Sequence, residues 1–467
     1  MPQKNQRRPS AISHLTELIG RLTRSYRSTP PAPKDSTEDS TSRLKVYLFN
    51  VGQGDHILIE LPNGEYGIID FYYEGAVDLR EPPALTFLDS VMSHDPAKRP
   101  TIAFICISHP DSDHIKGVDT FLRWVVENGI RVENFWVPAG NDFAKLYEQY
   151  SLALDRHARD EKEKYWVAAD VKDRLKSVRD YLNGGAWEGH TESLQGAVRP
   201  LNTNLGGTQV VLIAPLMKHV GKYDDKVTLD LFRQIIASKT EDASKPGTGA
   251  KANLLSSILL MIYNKHRLLF GGDTDLDVWL DCLDEYEKSR RQKHFGPCKG
   301  NFIKVSHHGS KNSSSVELWS RILADNAYLG ISAGKRWKHP DAQTLSEIRQ
   351  AAKQIGASVE VVSTNTCTAC LGGNGVAQEE LEWLAAPRPS YKPQVARMIR
   401  QSRPGSLAPA THANALGAYI FRFGASDDHA TLSKGMFATT QGHRRCVYEN
   451  RSNHPFPFCA GVVDDNP

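Results

Sequence analysis

From Leu44 onward, hydrophobic and polar positions follow strand periods more often than helical ones. Lys45–Asn50 alternates, V-G-Q-G-D (Val51–Asp55) turns the chain, and Ile57–Leu61 predicts a second strand. Asn63-Gly64 is a hairpin signal that leads into Tyr66–Ile69 and then Asp70. Thr101–Ile107 is an unbroken apolar run rich in β-branched residues, which predicts a buried strand. Ser257–Tyr263, Arg267–Phe270 and Tyr328–Ser332 predict further strands, and Val316–Leu323 predicts a helix. Residues 1–43 read differently. Leu15, Leu18, Ile19 and Leu22 recur at helical spacing beside Arg21, Arg24 and Arg27, and a proline-broken polar linker follows. This tail offers a basic surface to a protein partner, a phosphate backbone or a membrane surface, and its simpler reading is a loosely ordered leader to the folded part.

Composition narrows the class. A chain of 467 residues buries a large core and has room for more than one domain. Its formal net charge of +3 does not by itself announce a nucleic-acid partner. The longest apolar stretch, Leu254–Tyr263, is too short to span a bilayer. With no signal-peptide pattern at the start and seven scattered cysteines, the expectation is a soluble cytoplasmic protein without a disulfide framework.

Chemistry concentrates in I-S-H-P-D-S-D-H-I-K-G, Ile107–Gly117. His109, Asp111, Asp113 and His114 lie directly after a buried strand, which fixes where their loop begins, so four side chains can converge on one point. Imidazole and carboxylate are the ligands of zinc or manganese sites. A second concentration, K-V-S-H-H-G-S-K-N-S-S-S, runs from Lys304 to Ser315.

Taken with V-G-Q-G-D, the strand ending in I-I-D, N-L-L-S (Asn253–Ser256), G-G-D-T-D with Asp273, and His339-Pro340, these motifs resemble in type and order a metallo-β-lactamase-fold hydrolase. Within that superfamily they are similar to the metallo-hydrolase domain of ComEC-type competence DNA-uptake proteins, which share an Asp at the position of Asp111. The resemblance covers most of residues 44–365 and resumes near 412, with Val359–Asn365 and Gly417–Phe423 as closing strands. It implies an α/β protein with the αββα fold, two mixed sheets sandwiched between helices, with helical and C-terminal insertions. The implied domains are a tail at 1–43, a catalytic domain at 44–366 and a C-terminal extension at 367–467.

The resemblance also implies two divalent metal ions, zinc or manganese, held by His109, Asp111, Asp113, His114, Asp273 and His307. Asp273 would bridge them, Asp70 would support the ligand loop from behind, and Asn253 stands where most of the superfamily has a histidine. That set is harder than a nitrogen-rich one, which favours manganese for turnover. Asp113, His308 and Lys304 are the catalytic candidates, and Ser310, Lys311, Asn312 and His339 the substrate-binding ones. Two metals about 3.5–4 Å apart would activate a bridging hydroxide. The donors and positive charge of Lys304–Asn312 favour a phosphorus electrophile, hence a phosphodiesterase, with DNA or RNA the preferred substrate class. Serines 313–315 serve equally as a phosphate cradle or as ordinary helix caps. A small-molecule hydrolase acting on a cyclic nucleotide, a phosphocholine ester or a lactone is the alternative, and a non-catalytic scaffold the third reading.

Two insertions enlarge the frame. Asp142–Leu182, within a helical insertion at about 141–190, carries nine Lys/Arg and nine Asp/Glu, which reads as solvated helices forming a lid or a partner surface. Residues 240–252 read as a loop gating the site. In the C-terminal part, Cys367 and Cys370 have zinc spacing, and Cys446 and Cys459 would complete a structural site, against the competing reading of four reduced, unpaired thiols.

Overall fold

The computed structural model describes residues 43–49, 51, 54–73, 82–94, 99–138, 162–185, 187–201, 203, 205–223, 249–293, 295–332, 339–364, 415–424, 431–440 and 443–450. All belong to one compact unit, Ser42–Pro467. The basic tail, Cys367, Cys370 and Cys459, and residues 240–248 of the expected gating loop lie outside them, as does the side chain of Cys446. Cys106, Cys282 and Cys298 are buried free thiols.

The architecture is α/β with two mixed sheets. The first has β1 (Arg43–Phe49), β2 (Ile57–Glu60) and β3 (Tyr66–Ile69), then β4 (Ile102–Cys106), β5 (Asn134–Val137) and β6 (His190–Ser193). The second has β7 (Arg199–Pro200), β8 (Gln209–Ala214), β9 (Ile258–Tyr263), β10 (His266–Phe270), β11 (Gly300–Lys304), β12 (Leu323–Ile331) and β13 (Ser358–Ser363). β14 (Ala415–Gly424), β15 (Thr431–Thr440) and β16 (His443–Asn450) return to the first sheet, whose order is β16-β15-β14-β1-β2-β3-β4-β5-β6; the second runs β13-β12-β11-β10-β9-β8-β7. The closing strand therefore pairs antiparallel with the opening one, Phe421 opposite Val46. Strands β3 to β6 are parallel to one another, and so are β10 to β13.

Alternation along the strands builds the layers. Leu44, Val46, Leu48, Ile57, Ile59, Phe104 and Trp136 of the first sheet share one buried cluster with Leu259, Met261, Phe270 and Phe302 of the second. The Phe302 and Phe421 rings, from opposite sheets, meet with centroids 4.6 Å apart. The alternate positions, such as Tyr47, Ile68, Ile105, Leu260 and Ile303, instead join the buried faces of the helices. These are α1 (Pro83–His94), α2 (Ser112–Ile115), α3 (Val118–Glu127), α4 (Lys162–Asn183), α5 (Leu276–Lys293), α6 (Val316–Ile322) and α7 (Ala342–Ile355). In α3 the stripe Val118, Phe121, Leu122 and Val125 is buried at helical spacing. α4 falls inside the charged 141–190 stretch and buries Val171, Leu175 and Val178 against the core, and β6 at the end of that stretch extends the first sheet beside β5. Among the described residues, no helix is long and apolar enough to cross a membrane.

Candidate metal centre

The site grows from the carboxyl ends of parallel strands, where chain leaving a buried sheet enters loops. Asp70 follows β3, Ser108 to His114 follow β4, Gly271 to Asp275 follow β10, and Val305 to Ser310 follow β11.

The loop after V-G-Q-G-D is sewn onto the ligand-bearing turn by backbone bonds. Asp55 N donates to Asp113 O (3.1 Å), Tyr72 N to Asp55 O (3.0 Å) and Phe71 N to His114 O (2.7 Å). Gly54 makes this approach feasible. Its φ is +139°, and a Cβ there would lie 2.3 Å from the Tyr72 ring and 2.5 Å from Asp113 O. Across the sandwich, Ser257 donates its N–H and its hydroxyl to Ser108 O, both at 3.0 Å, while on the side of the second sheet Asp273 N donates to Ser256 Oγ at 3.2 Å. Ser257 thus joins the two sheets at the site, and Ser256 ties the Asp273 loop to the segment that precedes β9.

Four side chains converge. One ligand atom each from Asp113, His114, Asp273 and His308 lies within 4.8 Å of the other three. His114 Nε2 is 3.3 Å from Asp273 Oδ1 and 3.9 Å from Asp113 Oδ1, and His308 Nε2 is 3.3 Å from Asp113 Oδ2 and 3.5 Å from Asp273 Oδ2. His114 Nε2, His308 Nε2 and Asp273 Oδ1 are buried and make no hydrogen bond among the described residues. Such atoms are costly unless something coordinates them. Ligand atoms roughly 3.3 Å apart are also what a tetrahedral ion with bonds of about 2.0–2.1 Å requires. The donor set and its spacing fit a divalent cation.

Each imidazole has its other nitrogen fixed. Asp70 Oδ2 lies 2.7 Å from His114 Nδ1, while Asp70 Oδ1 accepts from Ser108 N (2.7 Å) and Oδ2 also accepts from Ser108 Oγ (2.6 Å). His308 Nδ1 donates to Ser332 O at 3.1 Å. Both bonds hold the proton on Nδ1 and leave Nε2 for the cluster. Burial alone would lower the His114 imidazole, but the Asp273 and Asp70 carboxylates outweigh it and raise it well above its ordinary value. His308 is raised by the same balance, burial against Asp273 and Asp113. Burial pushes Asp113 up, yet His308 and His114 bring it down to about 2.

Three expected ligands, His109, Asp111 and His307, lie outside the group of four. His308, not His307, enters the four-membered cluster. Both adopt left-handed backbone, with φ of 48° and 54°, so their rings diverge. His307 stands at the rim, its Nε2 3.9 Å from Asp273 Oδ2 and its Nδ1 3.6 Å from Asp275 Oδ1 and 3.5 Å from Asn253 Nδ2. Asp111 caps α2, its carboxylate accepting from Ser112 N at 2.6 Å, and burial together with Asp113 raises it to about 7. His109 packs its ring 4.1 Å from that of His114 and keeps a buried Nε2 with no hydrogen bond; burial lowers it to about 3, so it is neutral and able to ligate.

Lys304 does not face substrate. It is 1 % exposed, and its Nζ pairs with Asp55 Oδ2 at 2.8 Å, because β11 carries it between sheets rather than out of them. The serines cap: Ser315 Oγ accepts from Leu318 N (3.1 Å) and Ser310 Oγ from Asn312 N (3.3 Å). Ser314 donates to Glu347, and Ser313 is buried. The first turn of α6 therefore already spends a donor on its own chain. Lys311 and Asn312 are exposed, and Lys311 N donates to Asp341 Oδ2 at 2.8 Å. His339 stands beside His307 with ring centroids 5.9 Å apart. Asp55, Ser108, Ser257, Asp275 and Ser332 were not singled out by sequence reasoning, although Asp55 closes the V-G-Q-G-D motif and could have been. No protein-family model matches the chain, and no curated protein matches it.

Proposed function

We propose that this chain is a metal-dependent phosphodiesterase of the metallo-β-lactamase fold, with DNA or RNA the favoured substrate class. The observation that carries the reading is the convergence of Asp113, His114, Asp273 and His308 from both sheets, with His114 Nε2, His308 Nε2 and Asp273 Oδ1 buried and without a hydrogen bond among the described residues. The order of the two mixed sheets and the position of the cluster at their carboxyl ends support the same fold assignment.

Asp113, His114, Asp273 and His308 would hold the cation, with His109 and His307 on its flanks. A divalent cation so held lowers the pKa of a bound water and offsets negative charge on phosphoryl oxygens. The rest is the work of the chain. Asp70 and Ser332 O keep both imidazoles in the ligating tautomer. His307, 26 % exposed and backed by Asp275, is placed at the rim to hold a proton for a leaving oxygen. Lys311 offers the exposed positive charge beside the site that a phosphate would meet.

Hydrolysis of a small diester is the second reading, and one observation favours it. The Asp55 ion pair removes Lys304 from the substrate face and leaves Lys311 as the exposed lysine of the Lys304–Asn312 stretch, which is little positive charge for a long polyanion. Metal-stripped protein reloaded with zinc or manganese should hydrolyse single- or double-stranded DNA, RNA or bis-p-nitrophenyl phosphate. Inactivity on all four with both metals overturns the proposal.

A further inference from the structure

Among the described residues, Lys304 is one of the largest fully buried side chains, in a set otherwise made of aromatic residues. Among the described residues its ammonium has two partners, Asp55 Oδ2 at 2.8 Å and Val305 O at 3.0 Å. Asp55 is itself 1 % exposed, and the cavity beside the pair, bordered also by Asp70, Ser108 and Ser257, has a volume of about 10 Å³. That is at the lower limit for one water molecule, so the two charges are solvated chiefly by each other.

A buried ion pair is a poor investment in stability alone, because desolvation consumes most of the Coulombic gain. Its location suggests another use. Asp55 precedes β2 of the first sheet, and its N–H holds Asp113 O at 3.1 Å, the backbone of a ligand. Lys304 ends β11 of the second sheet, four residues before His308. The second carboxylate oxygen, Asp55 Oδ1, has no hydrogen bond among the described residues and lies 3.9 Å from His308 Nδ1. The pair thus spans the gap between the sheets directly beneath the ligands, touching the backbone of one half of the cluster and the imidazole of the other.

We propose that Asp55 and Lys304 are positioning residues for the metal centre: their ion pair sets the separation and orientation of Asp113 and His114 on one sheet relative to His308 on the other. The inference rests on the metal-site reading above and extends it to residues that touch neither metal nor substrate. A merely structural pair would affect stability alone. A positioning pair affects metal affinity even where stability is restored.

The test uses the full-length chain and zinc affinity, measured by competition with a chromogenic chelator, alongside thermal melts of the metal-free protein. Lys304→Met leaves a buried carboxylate unpaired and should lower Tm. The double variant Asp55→Asn/Lys304→Met removes both charges with little change of volume and should recover most of that Tm. The expected result is a double variant that melts near the parent yet binds zinc about 10- to 100-fold more weakly, the loss usual for groups that orient ligands. Asp55→Asn alone, nearly isosteric and still able to accept from Lys304, should show a smaller loss of the same sign. Parent-like zinc affinity in the double variant, or in Asp55→Asn should the double variant not fold, overturns the inference. Because the readout is affinity, the two readings separate. A parent that binds zinc and cleaves no diester removes the proposed activity and leaves the positioning role standing, whereas an active parent with an indifferent double variant does the reverse.

Discussion

Asp70→Asn is the most informative single substitution at the site, because it replaces one carboxylate oxygen by an amide NH2 with almost no change of volume. Asp70 has φ of 59°, a conformation in which Asn is among the tolerated residues, so the backbone stays in place. The carboxylate accepts three hydrogen bonds, from Ser108 N (2.7 Å), Ser108 Oγ (2.6 Å) and His114 Nδ1 (2.7 Å). An amide has a single acceptor oxygen. Ser108 N–H cannot rotate away and claims it, which turns the amide NH2 toward His114 Nδ1. That nitrogen then accepts, so the proton the imidazole keeps is the one on Nε2, the atom 3.3 Å from Asp273 Oδ1 that would ligate the metal. Binding must reverse the tautomer at the cost of a buried hydrogen bond. The expected loss of zinc affinity is about 10- to 100-fold, or roughly 1.4–2.8 kcal/mol at about 1.4 kcal/mol per tenfold. Metal-free stability should fall less, because the hydroxyl of Ser108 and the new Nε2–H both find partners. Chelator competition on parent and variant, with melts to show that both are folded, measures the effect. A folded Asn variant with parent affinity would refute the tautomer argument.

The adjacent histidines should differ in consequence. His308→Ala removes a cluster member and should cut zinc affinity by more than the roughly 100-fold upper end for orienting groups, whereas His307→Ala should retain most affinity and lose turnover; equal zinc losses would contradict the assignment. The thermal shift produced by metal should grow with pH. His114 and His308 are raised by buried carboxylates, so their contribution to metal-free stability is complete below the unfolded pKa and is lost as pH rises through the folded values. The metal competes with those same protons, so melts with and without zinc at pH 6 and pH 8 should diverge, and a shift that shrinks toward pH 8 would contradict it. Phe302→Ala, which empties the contact between the sheets, should cost about 3–5 kcal/mol by urea titration; a loss below about 1 kcal/mol would show that the interior can collapse there. Lys311→Glu should weaken binding to long DNA or RNA and flatten its salt dependence, with little effect on a chromogenic diester; equal losses on both would place Lys311 at the reacting phosphate.

Local pattern determined the elements whose signal is local. Alternation and apolar runs located β1 to β4, β9 and β10 within a few residues, and the N-G turn located the hairpin between β2 and β3, because strand period and turn geometry depend on neighbouring residues alone. Motif spacing likewise located the neighbourhood of the site, since buried strands bring His109–His114, Asp273 and His307–His308 to one end of the sandwich. Tertiary structure alone decided which atoms meet. Residue type does not separate adjacent His307 and His308, the resemblance assigns the metal to His307, and the left-handed turn between β11 and α6 instead sends His308 into the cluster and His307 to its rim. Asp111 reads as a ligand, and only the structure shows that one of its carboxylate oxygens also caps α2. Lys304 reads as an exposed cation, and its burial follows from the pairing of β11 with β10 and β12 and from a carboxylate 249 positions earlier on the opposite sheet. Those outcomes are set by long-range packing, in which a side chain's partner is chosen by the register and facing of two sheets rather than by the residues beside it.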